Sequence, residues 1–318
     1  MLDFHLPTLE DKPWIDEIFE GTQYFGCFCT FATLWLWKER YFTEVARFGD
    51  CLLLRGVDDE QNVYYMYPMG KKYDVRTAIE ALREDAAAKG TSLMIYCAEK
   101  WQCDELRETF PGEFEFEEQR GDFDYIYRSE DLVHLSGKKY HAKRNHISKF
   151  IRSYPDWQYE NIDDANALEC IEFASSLLES TIFDPDREEV SELCLENSAI
   201  ASALRHFDTL GMAGGLLRVG GRVVAITIGE PINSRVFVTH FEKADTDYDG
   251  AYTMINNQFA INRLSGYEYI NREEDMDKEG LRRAKLSYYP AILLEKFSAR
   301  IFLKIHNGKN TARGETEA

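Results

Sequence analysis

Residues 236–270 read VFVTHFEKADTDYDGAYTMINNQFAINRLSGYEYI. The first six, Val236 to Phe241, are β-branched and aromatic, the composition of a strand. Asp249-Gly250 supplies a turn, and Ile255, Phe259 and Leu264 recur behind it on the apolar side of a helix. Gly266 stops that helix, and Tyr267 to Ile270 predicts a second strand. Strand, glycine turn, helix, glycine stop and strand together read as an α/β unit.

The same order occurs earlier, from Tyr64 to Cys97. There Pro68-Met69-Gly70 is the turn, Val75, Ala78, Ile79, Leu82 and Ala86 are the helical stripe, Gly90 is the C-cap, and Ser92 to Cys97 is the second strand. The two stretches share architecture without residue-level identity. Further strands are expected at Asp50 to Arg55, around Phe114, at Phe123 to Tyr127 and at Trp157 to Tyr159, with a Gly220-Gly221 hairpin between Leu216 and Ile228. At 318 residues the chain accommodates about two domains. The reading is α/β (α+β): an N-terminal domain over 1–135, a basic linker helix over 136–154, and a C-terminal domain over 155–318, each domain a mixed sheet flanked by helices. The polar tail from His306 is expected to fray.

Composition narrows the class. Hydrophobic residues are 44% and aromatics 14% of the chain, which excludes global disorder. A net charge of −19 argues against nonspecific binding of nucleic acid or membrane over the whole surface. The cysteines at 27, 29, 51, 97, 103, 170 and 194 are scattered, with no C-x-x-C pair, so a disulfide framework or structural zinc is not expected and a reducing cytoplasm is. The N-terminus has early acids and no apolar core of a signal peptide. The longest uncharged run, Gly21 to Trp37, is short and polar for a membrane span and reads as a buried segment.

Three segments carry chemistry. Gly137 to Arg152 holds Lys138, Lys139, Lys143, Arg144, Lys149 and Arg152 and no acid, a local reversal of charge suited to phosphate or carboxylate recognition. The alternative is a solvated helix with Ile147, Phe150 and Ile151 facing inward. Asp245, Asp247 and Asp249 before Gly250 match the opening of a calcium loop, D-x-D-x-D-G, but the twelfth position is Asn256 instead of Glu. The competing reading is a strand-to-helix turn. Asn271 to Pro290 follows a strand end, where open α/β sheets gather ligands, and it is dense in both charges. No G-x-S-x-G, Walker A or G-x-G-x-x-G occurs, which demotes hydrolases of that type, P-loop NTPases and NAD enzymes.

In combination these stretches resemble a known family. They are Tyr67-Pro-Met-Gly70, Phe123-Asp-Tyr-Ile-Tyr127, Leu135-Ser-Gly-Lys138, Lys143-Arg-Asn-His-Ile-Ser-Lys-Phe150, Ala225-Ile-Thr-Ile-Gly-Glu230, His240-Phe-Glu-Lys243, Asn271-Arg-Glu-Glu-Asp275 and Leu281-Arg-Arg-Ala-Lys-Leu-Ser-Tyr288 with Pro290. They are similar to bacterial proteins related to the C-terminal domain of phosphatidylglycerol lysyltransferase. The resemblance implies two tandem GNAT-like acyltransferase domains, a fold shared with the Fem peptidyltransferases. It implies an aminoacyl-tRNA donor, with a small-molecule, peptide or lipid head-group acceptor and no tightly bound cofactor. The multi-span membrane domain of the full-length lipid enzymes is not expected in this chain, and its oligomeric state is left open. Acetyl-CoA is the second choice of donor, because Asp245, Asp247 and Asp249 crowd the place expected to bind its diphosphate, and Met69-Gly70-Lys71-Lys72 lacks the full loop pattern. A catalytically silent fold that binds an anionic metabolite or peptide is the remaining alternative.

The expected site lies between the strand ends at Glu242-Lys243 and Asn271-Arg272. Glu242 or Asp275 is expected to take the acceptor proton, and Arg272 or Lys285 to stabilise the oxyanion. Lys143, Arg144, Asn145, His240, Lys243, Asn271, Glu274, Arg282, Ser287 and Tyr288 are expected to bind substrate, with no metal ligand among them. The same charges could instead form a buried ion network that holds the domains together.

Overall fold

The structure, a computed structural model, describes residues 2–58, 60–181 and 187–301. The tail expected to fray lies outside them. In chain order the strands are β1 (Glu44–Phe48), β2 (Cys51–Val57), β3 (Val63–Met66), β4 (Met69–Gly70), β5 (Met94–Glu99), β6 (Phe114–Glu118) and β7 (Asp124–Arg128). Then follow β8 (Gln158–Asn161), β9 (Ala213–Val219), β10 (Arg222–Pro231), β11 (Val236–Ala244), β12 (Tyr269–Asn271), β13 (Ile292–Leu294) and β14 (Lys296–Ile301).

They form two mixed sheets. One runs β1-β2-β3-β5-β14-β6 with β4 paired to β2, and the other runs β13-β7-β12-β11-β10-β9-β8. Each contains one parallel pair, β3 with β5 and β11 with β12. Between the members of each pair the chain forms a helix, Val75–Ala88 in the first sheet and Ala251–Phe259 in the second. The doubled unit read from the sequence is therefore present. Asp74 starts the first of these helices by accepting the Thr77 amide at 2.6 Å.

The expected boundaries at 135 and 155 cut across these sheets. β7 precedes 135 but belongs to the second sheet, and β14 follows 155 but lies between β5 and β6. Short strands carry no periodicity that names their partners, so sequence order was a poor guide here. The expected linker is also a packed element: Phe150 of helix His141–Ser153 is buried with Leu217, Val224, Met254 and Ile255. Ile151, expected to face inward, is exposed.

The sheets share a core. Leu52 and Leu54 of β2 meet Ile226, Val236 and Val238 of the second sheet through Phe31 and Leu34. Cys51 and Leu53 point the other way, onto Ile79 and Leu82 of helix Val75–Ala88, as alternation along a strand buried on both faces requires. The short helix that bridges the sheets, Phe31–Leu36, begins where the Thr30 hydroxyl accepts the Thr33 amide at 3.3 Å.

Gly250 fixes the approach of helix His141–Ser153 to the second parallel unit. Its φ is +92°, and a Cβ there would sit 2.8 Å from the His146 carbonyl oxygen. Gly250→Ala is expected to cost about 1–3 kcal/mol in urea unfolding, since both the backbone angle and the contact resist a side chain. Gly221→Ala, at a hairpin glycine facing open space, serves as the comparison and should lose less. Equal losses would mean that the helix contact contributes nothing.

Candidate active site

β11 and β12 pair over Val236–Val238 and Tyr269–Asn271 and no further. Just beyond, β11 carries one extra residue. Ile228 faces Phe241 and Gly229 faces Thr239, so His240 is a β-bulge. Its ring is fully buried, with Nε2 3.1 Å from Glu230 Oε1 and Nδ1 2.8 Å from Glu273 Oε1. Burial opposes a charge on the ring, but hydrogen bonds to Glu230 and Glu273 outweigh it and raise the pKa to about 10. His240 is therefore a clamp between β10 and the loop after β12.

This clamp makes stability depend on pH. The folded pKa is raised above the ordinary 6.5, so the contribution is complete below pH 6.5 and is lost as pH rises toward about 10. Urea stability should fall between about pH 7 and 9, and His240→Gln should flatten that slope. An unchanged slope in the variant would assign the pH dependence to other groups.

Arg272 Nη2 donates to Glu242 Oε1 at 2.8 Å, closing the gap where the strands stop pairing. Asn256 Nδ2 donates to the other oxygen, Glu242 Oε2, at 3.0 Å. The guanidinium lies over the rings of Tyr288 and Tyr127, at 4.9 and 5.6 Å from their centres. Lys143 Nζ lies 3.7 Å from the centre of the same Tyr288 ring. Burial and then the nearby Arg272 charge lower the Lys143 pKa to about 8. Among the described residues, Arg272 Nη1 and Asn256 Oδ1 are buried without a hydrogen-bond partner.

The loop that follows β12 sends successive side chains to different places. Asn271 Nδ2 donates to the Phe25 carbonyl at 2.8 Å and to Asp124 Oδ2 at 2.9 Å. Asp275 is fully buried and accepts Arg282 through both oxygens at 2.7 Å, Arg120 at 3.1 Å and the Tyr125 hydroxyl at 2.5 Å. Burial pushes its pKa up, but Arg282 and Tyr125 outweigh this and hold it at about 2. That is the environment of an anchor, and the expectation that Asp275 takes a proton does not fit it. Lys285 Nζ donates to the carbonyls of Arg272, at 2.5 Å, and of Glu274. It fixes the loop backbone where an oxyanion role was expected. Glu273, Met276 and Asp277 all have positive φ, between 50° and 56°, so the loop holds strain of about 1–3 kcal/mol per residue.

Glu274 points into the shared interior. Its Oε2 lies 3.8 Å from Cys27 Sγ, beside the buried pair of Lys296 Nζ and Asp124 Oδ1 at 2.5 Å. Burial raises the Glu274 pKa, Lys296 opposes, and the balance falls at about 7. Cys27, Asp124 and Glu274 are the three metal-ligand types that come together among the described residues, but the Lys296 ammonium lies 3.5 Å from Cys27 Sγ in the same cluster. Glu274 also lines a cleft of about 290 Å³ between the halves, whose wall includes Trp37, Tyr64, Tyr96 and Cys97. Cys97, like the loop residues, has a positive φ, 53°.

Of the expected residues, Lys143, Glu242, Arg272 and Tyr288 form one group. His240, Asn271, Glu274, Asp275, Arg282 and Lys285 surround it in adjoining networks. Four lie elsewhere. Arg144 donates to the carbonyls of Leu135 and, at 2.8 Å, Gly137, so it ties down its own loop. Asn145 is exposed beside His141, Lys243 pairs with Glu196 at 2.5 Å, and Ser287 donates back to Ala284. The sequence reading missed Asp124, Lys296 and the aromatic cleft. Asp124 stood inside the quoted motif Phe123 to Tyr127, which was the available signal. Asp249 pairs with Lys149, and the Asp247 amide donates to Asp245 Oδ1 at 3.0 Å, the contacts of a strand-to-helix turn.

Two mixed sheets, each with a parallel pair flanking a helix, and a mixed-charge site where one pair ends define an acyltransferase-like fold of the GNAT and Fem type. The chain belongs to the family described as "Phosphatidylglycerol lysyltransferase, C-terminal", which it matches over residues 20–300. A conserved protein of unknown function from Bacteroides thetaiotaomicron is 37% identical, with a TM-score of 0.88 over 95% of this chain and 100% of that one. L-PGS from Bacillus licheniformis is 14% identical, with a TM-score of 0.63 over 93% and 92%, a likeness of fold. An uncharacterized protein of Mycoplasmoides gallisepticum is 23% identical over 192 residues, and the chain spans about half of that curated relative, 56% of its length. Among the described residues no helix is long and apolar enough to cross a membrane.

Proposed function

We propose that this protein transfers an aminoacyl group from aminoacyl-tRNA to an amine or hydroxyl of a small molecule, peptide or lipid head group. One observation carries the proposal: two cations, Lys143 and Arg272, both lie against the Tyr288 ring, with Arg272 Nη1 buried and without a hydrogen-bond partner among the described residues. Two cations on one ring favour negative charge beside them, and an unpartnered buried N–H is a ready donor to an oxyanion. Glu242 holds Arg272 in place, Glu274 is the carboxyl tuned near neutrality for proton transfer, and the fold's main contribution is to place donor and acceptor together.

The basic helix supports a polyanionic donor, because Lys138 and Arg152 are exposed beside the paired Lys139 and Lys149. Coenzyme A suits the site less well. The loop where its diphosphate would lie carries Asp245, Asp247 and Asp249, and Gly250 is packed under the His146 carbonyl. All seven cysteines are free, in keeping with a place in the reducing cytoplasm.

Filter binding tests the donor. The full chain should retain tRNA charged with a labelled amino acid, more weakly as salt rises, and should not retain labelled acetyl-CoA. Retention of acetyl-CoA alone would replace the proposed donor. Retention of neither would favour the catalytically silent fold.

A further inference from the structure

The inter-sheet cleft has a composition that the transfer reading does not explain. Trp37, Tyr64 and Tyr96 line it, and so do the carboxyl groups of Asp122, Glu274 and Asp277. Among the described residues no lysine or arginine lines it. The buried Lys296 is bonded to Asp124 at 2.5 Å and lies 4.8 Å from the centre of the Phe28 ring, which lines the cleft. Met276 and Asp277 are exposed, so the loop that carries Glu274 also forms the mouth.

Three kinds of occupant can be compared. An anion would meet three carboxyl groups, of which Asp277 is paired with Arg282 at 2.6 Å, and would find no lysine or arginine in the wall itself among the described residues. A neutral apolar ligand would gain from the rings but would cover the Glu274 carboxyl group without pairing it, which costs free energy. An organic ammonium gains from both, since aromatic faces attract cations and a desolvated carboxylate pairs with them. A cleft of about 290 Å³ suits an alkyl chain of several carbons with one charged end.

We propose that the cleft binds the acceptor as a primary alkylammonium, so that the group acylated is an amine and not a hydroxyl. The transfer step rests on the function proposed above; binding of the ammonium does not. In that step the ammonium gives one proton to the Glu274 carboxylate. The freed amine attacks the ester carbonyl, the new C–N bond forms, and the C–O bond to the donor breaks. The second nitrogen proton passes to the leaving oxygen, which departs as a hydroxyl, and Glu274 returns its proton to water.

Isothermal titration of the full chain with n-hexylammonium, 1-hexanol and hexanoate, at one pH and ionic strength, tests this. Hexylammonium should bind at least about tenfold tighter than either other probe. Tyr96→Leu and Glu274→Gln should each remove about tenfold of that affinity. If these variants fail to fold, Asp277→Asn, at an exposed position, should still weaken binding several-fold. Preference for 1-hexanol, preference for hexanoate, or no binding of hexylammonium would each overturn the proposal. Hexylammonium binding without retention of charged tRNA would support the amine cleft and overturn the donor. Charged-tRNA retention with preference for 1-hexanol would do the reverse.

Discussion

Lys296→Met is expected to destabilise the protein by about 3–5 kcal/mol, the largest loss anticipated from a single substitution here. Lys296 is 1% exposed and Asp124 is 0% exposed. Asp124 Oδ2 already accepts the Cys27 amide and Asn271 Nδ2, both at 2.9 Å, while Oδ1 faces the ammonium at 2.5 Å. Removing the cation leaves a carboxylate in the core with nothing to balance its charge. The pair as such need not be worth that much, because burying two ions costs nearly what their attraction returns. A double variant, Lys296→Met with Asp124→Asn, should therefore recover a large part of the loss. Urea unfolding of the two variants measures the difference. A loss below about 1 kcal/mol in the single variant would contradict the burial of this pair.

Arg272→Ala is expected to lower the transfer rate by about 10²–10³-fold while the chain still folds, the size of effect seen when one oxyanion donor is removed. The rate is to be read beside a second quantity. Arg272 is one cause of the depressed Lys143 pKa, so in the variant Lys143 should titrate above its native value of about 8. The pH profile of amine labelling at Lys143 reports this in the folded protein. If stability collapses while ligand binding in the surviving folded fraction is unchanged, Arg272 belongs to an ion network that holds the halves together, and the site is misplaced.

Much of the fold was legible because it depends on local pattern. Gly220-Gly221 between apolar runs set the hairpin of β9 and β10, and the stripe from Val75 to Ala86 marked the helix that follows β3 and β4. The doubled unit placed the strands on either side of each helix, while their parallel pairing is a finding of the structure. What could not be read were pairings between distant residues. Lys296 in sequence is a charged residue near a polar tail, and its partner Asp124 lies 172 residues away. The charge density of Asn271 to Pro290 showed that a site was near, but not that Asp275 would be locked by Arg282 while Glu274, one residue earlier, turned toward the cleft. Arg144 misled for a related reason: a run of cations does not disclose which of them is consumed by its own backbone.

The place of β14 bears on how the chain is made. The first sheet is joined through this strand, with β5 on one side and β6 on the other. As the ribosome delivers the chain, residues 44–118 emerge well before Lys296–Ile301, the piece that closes their sheet. The usual vectorial route, in which an N-terminal domain folds while its successor is still being polymerised, is closed to this protein. Until translation passes residue 301, the β5 edge is a template for pairing with other nascent chains, so protection by a holdase matters most at that strand.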